Sequence, residues 1–236
     1  MEVIILCGGQ GTRLRSIVPD LPKPMAPVGN VPFLRLLIED LVSKGVKRII
    51  LATGYKSEII NNYFGHHFND CKIDYSKEDH PLGTGGALRL ASSMVEEDFV
   101  MVQNGDSYIE NNFYLSESPN STSLRNSIVV REIDDSSRYG CLSVDLDGRI
   151  INFCEKSQSE KSSKLINAGI YFLSSSVLND LYLFPEAFSL EEDFFPCEIQ
   201  KHDFYALNLS GDAKFIDIGI PSDYIRAQSY LKSLTS

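Results

Sequence analysis

The first 110 residues alternate short apolar runs with longer amphipathic segments, and this alternation restricts the fold more than any other feature of the sequence. The apolar runs have the length and composition of buried strands and cover residues 3–7, 47–52, 72–75 and 99–103. The amphipathic segments have helical spacing and cover residues 31–44, 56–64 and 84–95. Repeated strand–helix–strand units predict a Rossmann-like α/β fold, with a mixed, mainly parallel sheet and helices on both faces.

The second half has a different pattern, with more strands and more turn signals. Predicted strands cover residues 127–132, 142–145, 149–155, 166–173 and 214–218. Predicted helices cover residues 174–181 and 191–201 and a last segment that begins at Pro221. Residues 116–127 are rich in Ser, Asn and Pro and predict a loop, while Asp147 and Gly148 indicate a hairpin turn. We therefore expect a single domain over residues 1–236, whose second half, residues 111–236, carries a small β lobe.

Composition limits the classes of binding partner and the cellular compartment that we expect for this chain. The net charge of −10 comes from 32 acidic and 22 basic residues, without a basic stripe, so nucleic acid is excluded as a partner. No apolar run reaches the roughly 18 residues of a membrane span, and the N-terminus does not resemble a signal peptide. The five cysteines form no CxxC motif and have no zinc spacing with the four histidines. An odd number of cysteines without an export signal predicts free thiols in the cytoplasm.

A glycine-rich segment follows the first predicted strand directly. Residues 8–14 read Gly-Gly-Gln-Gly-Thr-Arg-Leu, and three glycines in four positions let backbone N–H groups approach an anion closely. Arg13 adds a fixed positive charge that can bind phosphate oxygens with two hydrogen bonds. The segment is neither a Walker loop, which needs GxxxxGK[ST], nor a dinucleotide fingerprint, because Leu14 stands where the last glycine of GxGxxG belongs. We expect a phosphate-binding loop of another kind.

Lys23 follows ten residues after Arg13, with Pro22 and Pro24 on either side. Two prolines fix the backbone around the lysine and limit the positions that its ammonium group can reach. A lysine at a protein surface does not need this rigidity, although most lysines are surface residues and the motif alone would favour that interpretation. Together with the glycine segment, it favours Lys23 as a second phosphate-binding residue.

The glycine segment at residues 8–14 and the Pro-Lys-Pro motif at residues 22–24 together resemble the sugar-1-phosphate nucleotidylyltransferases. The resemblance covers nearly the whole chain, because residues 81–86 (Pro-Leu-Gly-Thr-Gly-Gly) resemble the family's base-recognition loop and Asn104-Gly105-Asp106 its metal-binding segment. A plainer interpretation of residues 81–86 is a helix N-terminus with Thr84 as the cap, and both can hold. In the second half, Arg138-Tyr139-Gly140, Glu155-Lys156 and Asn167-Ala168-Gly169 resemble sugar-contacting segments, and residues 215–219 resemble the segment of a second metal-binding aspartate.

The resemblance assigns roles to individual residues. It implies catalytic roles for Arg13, Lys23 and Asp106. It implies nucleotide contacts at Leu6, Gly8, Gly9, Gly11, Thr12, Arg13, Lys23, Gly83, Thr84, Gly85 and Asp106. It implies sugar contacts at Gly140, Glu155, Lys156 and Asn167. It implies Mg²⁺ binding by Asp106 and Asp217, which suits an ion that prefers one or two carboxylates with phosphate and water oxygens.

The resemblance also implies a reaction and a division of labour. A sugar 1-phosphate attacks the α-phosphorus of a nucleoside triphosphate and pyrophosphate leaves, with residues 1–110 binding the nucleotide and residues 111–236 the sugar. The form of the base loop and of residues 18–28 most resembles the D-glycero-D-manno-heptose 1-phosphate guanylyltransferases, which serve bacterial surface polysaccharide synthesis. Mannose-1-phosphate guanylyltransferases and N-acetylmuramate 1-phosphate uridylyltransferases have similar loops and remain alternatives.

Other classes of protein and other assemblies are also considered. A glycosyltransferase needs an Asp-x-Asp motif after a strand, which Asn104-Gly105-Asp106 lacks, and Asp145-Leu146-Asp147 precedes a turn. A non-catalytic nucleotide-binding regulator does not need both aspartates and Lys23.

The cluster Glu191-Glu192-Asp193 is interpreted as helix-capping or solvent-facing. The oligomeric state is left open, with a homodimer as one arrangement.

Overall fold

The computed structural model describes residues 1–9, 11–110, 125–133, 139–154, 165–209 and 213–231. Its strands are β1 (Glu2–Leu6), β2 (Pro27–Val28), β3 (Val31–Pro32), β4 (Arg48–Thr53), β5 (His67–Phe68), β6 (Cys71–Lys77), β7 (Phe99–Asn104), β8 (Ser107–Glu110), β9 (Ser127–Glu132), β10 (Cys141–Val144), β11 (Ile150–Cys154), β12 (Leu165–Ser174), β13 (Tyr205–Asn208) and β14 (Lys214–Asp217). Its α-helices are α1 (Phe33–Ser43), α2 (Ser57–Phe64), α3 (Gly83–Ser92), α4 (Ser175–Asp180), α5 (Phe195–Glu198) and α6 (Pro221–Tyr230). Short 3₁₀ turns form at Lys23–Met25 and Leu181–Leu183, and a π-type turn at Leu190–Phe194 precedes α5.

One mixed sheet organises the fold, and its centre is parallel. Strand β1 lies between β4 and β7 and is parallel to both, and β6 continues the parallel part beyond β4. On the other side, β12 joins β7 in antiparallel orientation and carries β9 and β10, to which β13 and β11 are added. The strands of the second half therefore extend the central sheet, while β8 and β14 form a separate two-stranded ladder.

Apolar residues cover both faces of this sheet. In β1, Val3 and Ile5 point into one core and Ile4 into the other, as the two-residue period of a strand requires. Helices α1, α2 and α6 contribute to the first core, and α3, α4 and α5 to the second. The predicted α/β class with helices on both faces is confirmed.

Most expected elements form within about two residues of their predicted bounds. The helix expected over residues 191–201 starts as the π-type turn and becomes α-helical only at Phe195. The predicted turn at Asp147 and Gly148 joins β10 to β11, with Gly148 at φ +78° and its N–H bonded to the Asp145 carbonyl at 3.1 Å. The predicted loop at residues 116–127 lies outside the described residues except at its end, where Ser127 begins β9.

The parallel register brings two loops together at one edge of the sheet. Leu6 at the end of β1 is the register partner of Asn104 at the end of β7, and the Gly105 N–H donates to the Leu6 carbonyl at 3.0 Å. The glycine segment and the Asn104–Asp106 segment are therefore neighbours at the carboxyl edge, where open α/β sheets bind ligands. Within the described ranges, no helix has the length and hydropathy needed to cross a bilayer.

Candidate active site

Two adjoining cavities open at the carboxyl edge of the parallel strands. The first cavity has a volume of about 280 Å³ and is lined by Leu6, Cys7, Gly8, Gly9, Lys23, Pro24, Glu78, Pro81, Gly83, Thr84, Ala87, Asn104 and Asp106. The second cavity has a volume of about 290 Å³ and is lined by Arg13, Lys23, Thr84, Asn104, Asp106, Ser107, Tyr139, Gly140, Asn167, Gly169, Ser189, Glu191, Glu192, Phe215 and Asp217. The two cavities share four residues, Lys23, Thr84, Asn104 and Asp106. These four residues mark the junction of the two cavities.

An ion pair between Lys23 and Asp106 occupies this junction. Lys23 begins the 3₁₀ turn between the two prolines, and its Nζ donates to Asp106 Oδ2. The lysine side chain is only 12% exposed, so its position is set by the protein. Burial would raise the pKa of Asp106, but the charge and hydrogen bond of Lys23 outweigh this and lower it. Asp106 is therefore a carboxylate at neutral pH.

Some residues of the glycine segment line the cavities, and others pack against the protein. Gly8 and Gly9 line the first cavity, and Arg13, which is exposed, lines the second. Gly11 has φ +57°, and a Cβ there would lie 2.8 Å from Lys23 Cβ, so this glycine allows the segment to pack against the lysine. Thr12 is exposed beside it, and Gln10 lies outside the described residues.

The expected base loop forms the N-terminus of α3, although Thr84 is not its cap. The helix begins at Gly83, so Thr84 lies inside it, and its Oγ1 donates to Glu191 Oε2 at 2.8 Å and accepts from the Leu190 N–H at 2.9 Å. The capping interpretation is therefore wrong. Gly85 packs away from the cavities, with its N–H bonded to the Phe188 carbonyl at 2.9 Å and no room for a Cβ beside the Phe188 ring.

Glu191 belongs to the site, which the sequence did not predict. It accepts hydrogen bonds from Thr84, from the Tyr171 hydroxyl at 3.3 Å and from Ser189 Oγ at 3.1 Å, and it lines the second cavity together with Glu192. The expectation that residues 191–193 cap a helix or face solvent is corrected for Glu191, whereas Glu192 is exposed as expected and Asp193 caps the turn by accepting from the Ser189 N–H at 2.8 Å. Burial and the charge of Glu191 raise the pKa of Tyr171, which stays protonated. The π-type turn that carries Glu191 has no recognisable sequence pattern.

Glu78 is a second site residue that the sequence analysis missed. It follows directly after β6 and lines the first cavity, and its Oε2 accepts from the Leu82 N–H at 3.1 Å. A Cβ on Gly8 would lie 2.7 Å from Glu78 Oε1, so the glycine brings this carboxylate against the loop. Burial raises the pKa of Glu78 above its usual value. Its position after a parallel strand is the signal that could have found it.

The two expected metal-binding aspartates line the same cavity although 111 positions separate them in the sequence. In the ladder between β8 and β14, Asp217 is the partner of Ser107, and the Ile218 N–H donates to the Asp106 carbonyl at 2.9 Å. Asp217 also accepts a hydrogen bond from the Gly219 N–H. Two carboxylates in one polar cavity provide the oxygen donors that Mg²⁺ prefers.

Two of the four expected sugar-contacting residues, Gly140 and Asn167, lie in the described part of the chain. Gly140 and Asn167 line the second cavity, and the Asn167 N–H donates to the Gly140 carbonyl at 2.9 Å. The Asn167 amide also donates to the Tyr171 hydroxyl at 2.8 Å and accepts from the Gly169 N–H at 2.9 Å, which fixes its orientation. Arg138, Glu155 and Lys156 lie outside the described residues.

Asn104 lines both cavities, and its side-chain amide oxygen Oδ1 is buried and has no hydrogen-bond partner among the described residues. Gly169 approaches it closely, since a Cβ at this glycine would lie 2.9 Å from Asn104 Nδ2. A buried acceptor without a partner costs about 1–3 kcal/mol, and a ligand donor at the junction would remove this cost.

Comparisons with known proteins agree with the motifs. The family model described as "Nucleotidyl transferase" matches residues 2–233. The chain is 40% identical to the D-glycero-alpha-D-manno-heptose 1-phosphate guanylyltransferase of Aneurinibacillus thermoaerophilus, over 98% of this chain and 99% of that protein. It is 36% identical to the mannose-1-phosphate guanylyltransferase catalytic subunit beta of Drosophila melanogaster, over 99% of this chain but 63% of that protein.

A solved structure shares both sequence and fold with this chain. HddC from Yersinia pseudotuberculosis, solved in complex with GMP-PN, superposes with a TM-score of 0.80 at 39% identity, covering 98% of this chain and 99% of HddC. Together with the family match over nearly the full length, this similarity confirms the relationship that the motifs indicate. The chain belongs to the nucleotidyl transferase family.

Proposed function

We propose that this chain transfers the guanylyl group of GTP to D-glycero-alpha-D-manno-heptose 1-phosphate and releases pyrophosphate, in the cytoplasm and for surface polysaccharide synthesis. The observation that carries the proposal is the junction of two cavities at Lys23 and Asp106. A bimolecular transfer between two anions requires adjoining sites with a fixed positive charge between them. The full-length similarity to heptose 1-phosphate guanylyltransferases supports the choice of substrates.

The nucleotide is assigned to the first cavity and the sugar phosphate to the second. The described residues that line the first cavity all lie between positions 6 and 106, inside the proposed nucleotide half, residues 1–110. The second cavity adds residues from position 139 onward, which supports residues 111–236 as the sugar half. Hydroxyl and amide groups such as Asn167 and Tyr139 suit a polyhydroxylated ligand.

Glu78 supports guanine as the base. A guanine presents two adjacent donors, N1–H and the N2 amino group, and a carboxylate accepts from both at once. Uracil offers a single N–H between two carbonyl oxygens, which a carboxylate would repel. Because Glu78 lies in the first cavity beside Gly8, it is our candidate for base selection.

The proposed chemistry does not need a general base. The attacking oxygen belongs to a phosphate and is already anionic, so the protein has to align two anions and stabilise the charge that develops on the α-phosphate. We assign the second task to Lys23, whose ammonium group is held at the junction by Pro22, Pro24 and Asp106. We assign binding of the triphosphate and its leaving pyrophosphate to the N–H groups of the glycine segment and to Arg13, which lines the second cavity, so the phosphates would extend from the first cavity across the junction.

We propose Mg²⁺ as the cofactor, held by Asp106 and Asp217. Among the described residues that line the second cavity there are four carboxylates and two cations. The carboxylates are Asp106, Glu191, Glu192 and Asp217, and the cations are Arg13 and Lys23. A polyanionic substrate would be repelled by this balance unless a divalent cation offsets it. When bound, Mg²⁺ would neutralise phosphate oxygens and fix their geometry.

The test is a matrix of four nucleoside triphosphates against three sugar 1-phosphates, namely the manno-heptose, mannose and N-acetylmuramate derivatives, scored by pyrophosphate release with Mg²⁺. The expected result is a highest kcat/KM for GTP with the heptose phosphate. Preference for mannose 1-phosphate or for UTP would replace the proposed substrates. Nucleotide binding without pyrophosphate release in any combination would favour a non-catalytic regulator.

A further inference from the structure

Three potential metal ligands converge on the face of the sheet that is covered by α3, α4 and α5, outside both cavities. Asp180 ends α4, Glu198 ends α5, and His202 follows Glu198 by one helical turn, with its N–H bonded to the Glu198 carbonyl at 2.9 Å. One ligand atom from each residue lies within 4.8 Å of the other two. We call these three residues the Asp-Glu-His cluster.

The contacts within the Asp-Glu-His cluster centre on one imidazole nitrogen. His202 Nε2 lies 2.7 Å from Asp180 Oδ2 and 3.5 Å from Glu198 Oε2. Ligand atoms bound to one zinc ion, each at about 2.0–2.2 Å, are separated by about 3–4 Å. The present spacing therefore needs only small side-chain movements to accept an ion in place of the Nε2 proton.

Glu198 provides independent evidence that this cluster is incomplete. Its side chain is 0% exposed, and its Oε1 accepts from Lys201 Nζ at 2.7 Å. Its Oε2 is buried and accepts no hydrogen bond from the described residues, although His202 Nε2 lies 3.5 Å away. A buried carboxylate oxygen without a hydrogen bond is costly, and a cation on Oε2 would offset that cost.

We propose that Asp180, Glu198 and His202 form a binding site for a divalent transition-metal ion, with Zn²⁺ as the ion that the ligands favour. Two carboxylates and one imidazole form a mixed oxygen and nitrogen set, which Mg²⁺ and Ca²⁺ use less readily than Zn²⁺ does. Asp180 and His202 are about one quarter exposed, so a water molecule can complete the coordination from that side. The ion would crosslink the ends of α4 and α5 and act on stability rather than on the reaction.

The experiment uses the full chain, which is treated with a chelator and desalted. It is then titrated with Zn²⁺ in a buffer that contains excess Mg²⁺. One equivalent of zinc should bind, and the zinc-edge X-ray absorption spectrum should show one imidazole with oxygen ligands. At zinc a hundredfold above its Kd, the melting temperature should rise by about 5–10 °C. No zinc binding by the folded protein, or sulfur ligands in the spectrum, would overturn the proposal.

Variants separate this site from other zinc-binding positions. His202→Ala and Glu198→Gln should each weaken zinc binding by at least about 10-fold, which at the same zinc concentration removes about half or more of the zinc-dependent rise in melting temperature. His202→Ala, at the more exposed position, keeps the test available if Glu198→Gln does not fold. Asp203→Asn, which changes a neighbouring exposed carboxylate paired with Arg149, should bind zinc as the wild type does. Unchanged zinc affinity in both cluster variants would contradict the site.

Discussion

At the scale of single residues, the proposed chemistry depends on one lysine held in place by its neighbours. Pro22 and Pro24 restrict its backbone, Gly11 lets the glycine segment pack against its side chain, and Asp106 accepts its Nζ hydrogen bond. A charge that is already in position does not have to be reorganised when the transition state forms, and this is the origin of its catalytic effect.

Replacing Lys23 with alanine should lower kcat/KM by about 10²-fold or more, about 3 kcal/mol, because a fixed donor at the reacting phosphate is lost. Steady-state kinetics of pyrophosphate release give the value. Lys72→Ala is the matched control, since Lys72 is an exposed lysine on β6 that pairs with Asp74 and lines neither cavity, so it should keep wild-type kinetics. A folded Lys23→Ala enzyme with near-normal turnover would remove Lys23 from the mechanism.

Glu78→Gln should raise the KM for GTP by about 10- to 100-fold, because guanine loses one charge-assisted acceptor and meets an amide donor instead. UTP should gain relative to GTP in the variant. If the GTP-to-UTP ratio of kcat/KM does not change, Glu78 does not select the base.

The raised pKa of Glu78 predicts a pH dependence of base binding. The carboxylate is the form that binds guanine, and it is lost as the pH falls through this raised pKa. As the pH is lowered, the KM for GTP should therefore begin to rise at a higher pH than it would with a glutamate of ordinary pKa. Glu78→Gln should lack this inflection while keeping any that arises from the phosphates of GTP. Identical pH profiles for both enzymes would contradict the assignment.

At the scale of elements, the structure shows which parts of the site the sequence could predict. Strand–turn–helix periodicity predicts β1, β7 and the start of α3, and a ligand-binding edge follows from their parallel arrangement. The short strand β8 has only four residues and depends on its partner β14, which is 104 positions later, so no local pattern reveals it. Glu191 lies at the second cavity and contacts Thr84 and Tyr171, and these contacts between distant parts of the chain leave no local sequence pattern.

Close packing between α3 and the segment that contains Phe188 should make Gly85 sensitive to any side chain. In Gly85→Ala the new Cβ would lie 2.3 Å from the Phe188 ring, which stacks on Phe184 at 5.0 Å and cannot move aside freely. We expect the free energy of unfolding to fall by about 1–3 kcal/mol in denaturant titrations. Gly9→Ala is the control, since no atom lies within 4 Å of its Cβ position, and equal stability of the two variants would disprove the packing argument.

At the scale of the whole molecule, the site forms because distant parts of the chain meet at one sheet edge. The N-terminal glycine segment, the β7–β8 connection and β14 arrive there from positions near 10, 105 and 217. The family motifs identify these segments, but their distances and shared cavity depend on the β8–β14 ladder and on β12 joining β7. The Asp-Glu-His cluster is not a local motif, because the fold has to bring Asp180 at the end of α4 against Glu198 and His202 at the end of α5.

Asp106 and Asp217 should behave as one unit if they hold the same ion. Asp106→Asn and Asp217→Asn should each reduce Mg²⁺-dependent activity by at least about 100-fold, because the bound ion contributes several kcal/mol. The double variant should lose little more than the worse single variant, since residues that act together are not additive. Losses that multiply would show that the two aspartates act separately.

The most direct test of the central claim follows the phosphorus atoms of GTP in a single turnover with the heptose 1-phosphate. If the second substrate attacks the α-phosphorus at the Lys23–Asp106 junction, label placed in the α-phosphate will appear in the nucleotide sugar and label in the γ-phosphate will appear in pyrophosphate. Transfer of the γ-label to the sugar phosphate, with release of GDP, would contradict the account.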